Sequence, residues 1–443
     1  MAYPVGFKFG VASCAAQNEG CGFDGGRGES IWDVFSRKPG AIRDGAQPAY
    51  GACDSYRLFD VDLWNLTDLG VNAYRMSIAW GRVLPEGSGK LNQAGVDYYK
   101  RCFEKLLKHG IEPNVTLYHW DLPQALEENG GWLNRDCIYR FRDYAALMFR
   151  EFGDLVRTWV PVNEPIAVYV GYGLGWFAPG YKNKRWGNQA RHNVMTASGA
   201  AVEAFRESGK KGEIGVVIDV WKRIPMTDSP EDRLLAMDED EENWKFYTDR
   251  LLGHRYSDYI LDKFAREGTL MDMCDEDFRL TALPIDFYGL NYYNTVPVSV
   301  NKEAIQNAGG GNFAEDRKVV NPEGIYDIIH MIKDMYRLEI PFYITENGYG
   351  YEGDEAVSDA DGMIHDDYRI DYVRRALSQV ERMIGEGMDI RGYYLWTLMD
   401  NFEWTAGHGY KYGLLHTDFE TMRRTWKKSA YWYRDYIKAA LKR

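Results

Sequence analysis

Eight short β-rich runs alternate with longer amphipathic stretches from residue 7 to the end of the chain, and no other feature restricts the fold as strongly. The runs fall at residues 7–12, 71–78, 112–118, 156–162, 213–219, 285–290, 341–345 and 391–396. Apolar residues at three and four spacing between them predict helices at 98–108, 138–151, 189–206, 368–384 and 426–441. Eight strands in such alternation close into an α/β (β/α)8 barrel rather than an open doubly wound sheet. The length of 443 residues would suggest about three domains at ~150 residues each. No internal repeat or linker interrupts the alternation, however, so the reading is one barrel domain over residues 1–443. The long polar segments 20–52 and 301–322 read as extended loops over the barrel mouth.

Two of these strands run directly into a carboxylate. Tyr343-Ile344-Thr345-Glu346 stops at the turn dipeptide Asn347-Gly348, and Trp159-Val160-Pro161-Val162-Asn163-Glu164 stops at Pro165. In a parallel barrel the C-terminal strand ends share one face, where active sites sit, so residues 182 positions apart would meet there. A carboxylate at the end of an apolar strand is costly unless it is paired or used. Either acid alone could cap a loop; the two together point to a catalytic pair.

Composition removes several function classes. With 53 basic and 66 acidic residues the net charge is −13, which argues against a nucleic-acid partner because phosphate binding needs a basic face. No apolar run of ~20 residues predicts a membrane span. The six cysteines show no C-x-x-C spacing and the eight histidines no H-E-x-x-H, so neither a metal site nor a redox pair is indicated. The start of the chain lacks the basic and apolar regions of a signal peptide, which reads as a cytoplasmic protein with reduced thiols. Aromatic residues at 15% fit either a large core or rings lying under sugars. The glycine-rich stretches Gly171-Tyr172-Gly173-Leu174-Gly175 and Gly309-Gly310-Gly311 lack the context of a phosphate-binding loop and read as a surface loop and a flexible loop.

Motifs in order along nearly the whole chain resemble the family 1 glycoside hydrolases, the β-glucosidase and β-galactosidase family. They are Phe9-Gly10 through Gln17-Asn18-Glu19-Gly20, Cys53-Asp54-Ser55-Tyr56, Tyr74-Arg75-Met76-Ser77-Ile78, Tyr118-His119-Trp120-Asp121-Leu122-Pro123, Asn163-Glu164-Pro165, Gly289-Leu290-Asn291-Tyr292-Tyr293, Thr345-Glu346-Asn347-Gly348 and Asp400-Asn401-Phe402-Glu403-Trp404. The resemblance implies retaining hydrolysis at a non-reducing end, with Glu346 as nucleophile and Glu164 as acid and then base. It implies that Arg75, Tyr293 and Asn291 support the nucleophile, and that Gln17, His119, Trp120, Asn163, Trp396, Glu403, Trp404 and Tyr412 bind the sugar. Taken singly, Gln17 or His119 could equally be a satisfied core polar group. The implied substrate is a small β-glycoside or cello-oligosaccharide, with no cofactor and no metal.

Three positions depart from the family pattern: Pro161 replaces the usual Thr, Phe177 stands where many members carry His, and Lys318 where many carry a Trp. Phe177, Lys318 and the neighbouring Trp176 are expected on the leaving-group side. Two other readings stay open, a 6-phospho-β-glycosidase and a sugar-binding pseudo-enzyme. Glu403-Trp404 argues against the first, although Lys411-Tyr412 leaves room for a phosphate cation, and the presence of both acids argues against the second. Transglycosylation, the choice among glucose, galactose and fucose, and oligomerisation are left open.

Overall fold

The computed structural model describes residues 3–301, 320–353 and 362–442. Eight parallel strands form a closed barrel: β1 (Lys8–Ala12), β2 (Ala73–Ser77), β3 (Glu112–Tyr118), β4 (Thr158–Val162), β5 (Glu213–Asp219), β6 (Phe287–Asn291), β7 (Phe342–Asn347) and β8 (Ile390–Trp396). Strands adjacent in sequence are adjacent in the barrel, and β1 closes it by pairing in register with both β8 and β2. All eight expected strands are present, two of them with unchanged ends.

The strands read as continuous apolar runs because side chains pointing inward and those facing the helices are both buried. Gly10 shows how tight the interior is, since a Cβ there would lie 2.4 Å from the Tyr394 ring. Pro161 is accommodated by a break in pairing. β4 is bonded to β5 only through Thr158 and Trp159, and contact resumes as a single bridge between Asn163 and Val217. A proline lacking an N–H is tolerated where the ladder is interrupted.

The helices form the outer ring, including Gln93–Lys108, Asp136–Phe152, Lys184–Ser208 and Asp367–Gly385. The last helix begins at Lys428, two residues later than its apolar spacing suggests. Arg424–Trp426 instead pairs antiparallel with Leu415–Thr417, as suits the β-branched Thr425 and the aromatic Trp426. The segment 171–175 also differs from its expected form. Val170–Leu174 continues the helix Ile166–Tyr169 as a wide turn, and Tyr172 is 1% exposed. Its glycines serve close approach, not mobility: a Cβ on Gly171 would lie 2.1 Å from the Ala178 carbonyl oxygen.

Segment 20–52 is a folded wall rather than an open loop. Ser30 and Asp33 form a capping box on the helix Ile31–Ser36, which buries Trp32. Most of 301–322, with Gly309-Gly310-Gly311 and Lys318, lies outside the described residues. No helix among the described residues is long and apolar enough to cross a membrane.

Candidate active site

Glu346 is the fifth residue of β7 and Glu164 follows β4 by two positions, so both acids stand at C-terminal strand ends and both are buried. Glu164 holds a left-handed backbone, φ +42°, as do Trp120 at +76° and Trp404 at +50°. Each such non-glycine residue costs of order 1–3 kcal/mol, so the surrounding structure must hold it in place. For Glu164 part of that hold is its backbone N–H, which donates to the Val217 carbonyl at 3.2 Å.

The side chains form one continuous network. Arg75 on β2 reaches across the barrel, donating to Glu346 at 2.5 Å and, through its other terminal nitrogen, to Asn163 Oδ1 at 2.5 Å. Tyr293 donates its hydroxyl to the second Glu346 oxygen at 2.7 Å. The Asn291 amide donates to Glu164 at 2.5 Å and to Asn163 at 3.2 Å, while its own oxygen accepts from Thr345 at 2.7 Å. Asn163 also meets His119 Nε2 at 3.1 Å, and its carbonyl accepts from the Trp120 indole at 2.8 Å.

The two acids consequently differ in charge environment. Burial pushes the Glu164 carboxyl well above the ordinary range, and the charges of Asp219 and Glu346 add to the rise. Burial also raises Glu346, but the Arg75 guanidinium and the Tyr293 hydroxyl pull it back. Glu346 has a cation in direct contact, whereas Glu164 has an amide donor, so the Glu164 carboxyl is held further above the ordinary range than that of Glu346. Burial and the Arg75 charge push His119 well below its usual range, which leaves it a neutral imidazole.

The profile of Glycosyl hydrolase family 1 matches residues 1–441. The chain belongs to this family. It is 37% identical to Beta-glucosidase A of Acetivibrio thermocellus, with 98% of each chain covered. It is 38% identical to the Bifunctional beta-D-glucosidase/beta-D-fucosidase of Bifidobacterium breve, covering 99% of this chain and 98% of that one. Among solved structures it superposes on the beta-glucosidase from Thermotoga maritima in complex with glucoimidazole, with a TM-score of 0.92, 38% identity and 99% of each chain covered.

In this family 1 hydrolase the barrel mouth also gathers the other expected residues. Gln17 donates to Glu403 at 3.1 Å and to Asn401 at 3.3 Å. Gln17 Oε1 and His119 Nδ1 are buried without a hydrogen-bond partner among the described residues. Trp396, at the end of β8, stacks near His119 with centroids 6.0 Å apart. Trp120 and Trp404 lie 4.6 Å apart, Phe177 packs 5.5 Å from Trp120, and Tyr412 meets Tyr293 edge-on at 5.9 Å. Trp176 stands apart from this wall at 67% exposed, and Lys318 falls outside the described residues.

Three neighbours escaped the sequence reading. Trp32 packs 4.6 Å from Trp404, and Trp221 stacks parallel to Tyr293 at 5.8 Å. Neither sits in a motif that would mark it. Asp219 ends an apolar strand just as the two glutamates do, and the cost of such a carboxylate could have singled it out.

The loop bearing Glu403 and Trp404 is anchored by a buried ion pair, Lys427 Nζ to Asp400 Oδ1 at 2.8 Å, both residues being fully buried. Burial works to raise the Asp400 carboxyl, but Lys427, His416 and Arg369 together hold it below the usual range. Its stabilisation is therefore present above about pH 4 and is lost as pH falls further. Lys427→Met should lower stability at pH 7 by about 3–5 kcal/mol, because it removes the buried cation in direct contact with a buried carboxylate. Urea unfolding at pH 7 and below pH 4 should show that gap narrowing in acid. A gap of equal size at both values would show that the pair does not hold the loop.

Proposed function

We propose that this protein is a retaining, exo-acting β-glycosidase that removes terminal non-reducing β-D-glucosyl residues from small β-glycosides and cello-oligosaccharides, with β-fucosyl and β-galactosyl residues as further substrates. The observation that carries this reading is the unequal pair, Glu346 paired to a guanidinium and Glu164 buried beside other carboxyls. That division supplies an ionised nucleophile and a protonated acid at the same pH.

In the first step a Glu346 oxygen attacks the anomeric carbon while Glu164 gives its proton to the departing glycosidic oxygen. The bond to the leaving group breaks and a glycosyl ester of Glu346 forms. Esterification removes the Glu346 charge, which is one of the causes holding the Glu164 carboxyl high. Glu164 is then easier to ionise, and in the second step it takes a proton from water as that water attacks the anomeric carbon. Two inversions leave the configuration retained. Glu403 can accept hydrogen bonds from two neighbouring sugar hydroxyls, and the unpaired Gln17 and His119 atoms can take part in others.

A panel of chromogenic β-glycosides, with an α-glucoside and a 6-phosphoglucoside, tests substrate class and anomer together. Activity confined to unphosphorylated β-glycosides is expected; hydrolysis of the α-glucoside, or of none of the panel, would sink the reading. Two features disfavour a phosphorylated substrate. Lys411 is 5% exposed and directs its ammonium to the His408 carbonyl at 2.7 Å. The Glu403 carboxylate would repel a dianionic phosphate by several kcal/mol at an effective dielectric of ~20. The 6-phosphoglucoside should therefore show kcat/KM at least about 100-fold below that of the plain glucoside. A phosphorylated sugar that proved the better substrate would put the 6-phospho-β-glycosidase in its place.

A further inference from the structure

Three carboxyls, rather than two, meet at this end of the barrel. Asp219 is the last residue of β5 and only 7% exposed. Its partner across the β5–β6 ladder is Asn291, whose amide donates to Glu164. β5 also accepts the Glu164 backbone N–H on Val217 and bridges Asn163 through the same residue. The Asp219 carboxyl accepts from the side chain of Trp221, whose ring stacks on Tyr293, the residue that donates to Glu346.

No ion pair to Asp219 occurs among the described residues, although Arg75 pairs with Glu346 a short way across the mouth. The two basic residues just beyond β5 are engaged elsewhere: Lys222 pairs with Asp240, and Arg223 spends its guanidinium on Glu239 at 3.0 Å and on the Trp221 carbonyl. The groups facing Asp219 are Glu164 from β4, Glu346 from β7, Arg223, and the hydroxyls of Tyr247 and Tyr288. Arg75 and Tyr293 stand behind Glu346.

We propose that Asp219 is a positioning residue for acid catalysis, a buried carboxylate with no ion pair among the described residues, whose charge keeps Glu164 protonated and so sets the alkaline limit of turnover. The proposal rests on Glu164 being the acid, as inferred above. Burial pushes Asp219 up to about 7, with the Glu346 charge adding to the rise and Arg223 and Trp221 opposing it. As pH rises, Glu346 ionises first beside Arg75, Asp219 follows near neutrality, and Glu164 must then ionise against two negative charges. Such coupled groups titrate in joint steps, so the effect is read on the alkaline limb of the pH profile.

The test is the pH dependence of kcat/KM for Asp219→Asn, measured on cellobiose and on dinitrophenyl β-glucoside. Removing the charge should move the alkaline limb for cellobiose to lower pH by roughly one unit, the scale on which a nearby like charge acts. The acid limb should stay in place, because Asp219 is uncharged there. The dinitrophenyl substrate, which needs little acid help, should shift less, and Asp219→Glu should return the limb toward its original position. Asp219→Ser provides a second removal of charge should the asparagine variant fold poorly. An unmoved alkaline limb, or equal shifts on both substrates, would overturn the proposal. Azide rescue of Glu164→Ala reports separately on whether Glu164 is the acid, so the two failures can be told apart.

Discussion

Glu346→Gly should lower turnover of every β-glycoside by roughly 10⁴-fold or more, because it removes the atom that bonds to the anomeric carbon. The barrel should still fold. Glu346 stands at the mouth, and Arg75, though it loses its carboxylate, keeps the Asn163 oxygen and the Thr345 carbonyl as acceptors. The space left behind also gives the loss a chemical signature. A small anion such as azide or formate can enter it from the face that Glu346 occupied and attack the anomeric carbon once, so an α-glycosyl azide should form from an activated β-glycoside. Folding is checked by circular dichroism and the product by its anomeric proton coupling. Hydrolysis within tenfold of the unaltered enzyme would remove Glu346 from the nucleophile role.

The second large effect falls on Glu164 and depends on the substrate. General acid assistance typically contributes 10²–10⁴-fold, so Glu164→Ala should lose about that much on cellobiose, whose leaving hydroxyl needs a proton. A dinitrophenyl glucoside needs almost none, and its glycosyl-enzyme should form at near-normal rate and then accumulate, because the base for the second step is missing as well. Azide should accelerate turnover by attacking that ester directly, and the product should be the β-glycosyl azide. Opposite azide anomers from the two variants follow from one inversion in the first case and two in the second. An α-azide from Glu164→Ala, or equal losses on cellobiose and the dinitrophenyl glucoside, would show that the roles are misassigned.

The order of elements was legible in the chain. Each barrel strand is a short apolar run bounded by turn residues, and burial on both faces makes such runs stand out against the amphipathic helices. The strand-end glutamates were legible for the same reason, since a carboxylate closing an apolar run is conspicuous in one dimension. Errors arose where a residue type has two physical uses. The glycines of 171–175 signal a surface loop by composition, yet here they let backbone approach backbone. Trp426 fits helical spacing, yet it pairs across to Leu415 in a two-stranded ribbon.

By itself, then, the sequence determined the barrel, its strand order and the two acids at its mouth, because periodicity and strand-end chemistry are local properties. Only the tertiary structure decided what surrounds those acids. It brought Arg75 across the barrel to Glu346, set Trp32 against Trp404, left Trp176 out in solvent and placed the Asp219 carboxyl where its charge acts on Glu164. Proton affinity depends on burial and on charges a few ångströms away, and those charges come from strands far apart in the chain, so no local pattern encodes which glutamate keeps its proton.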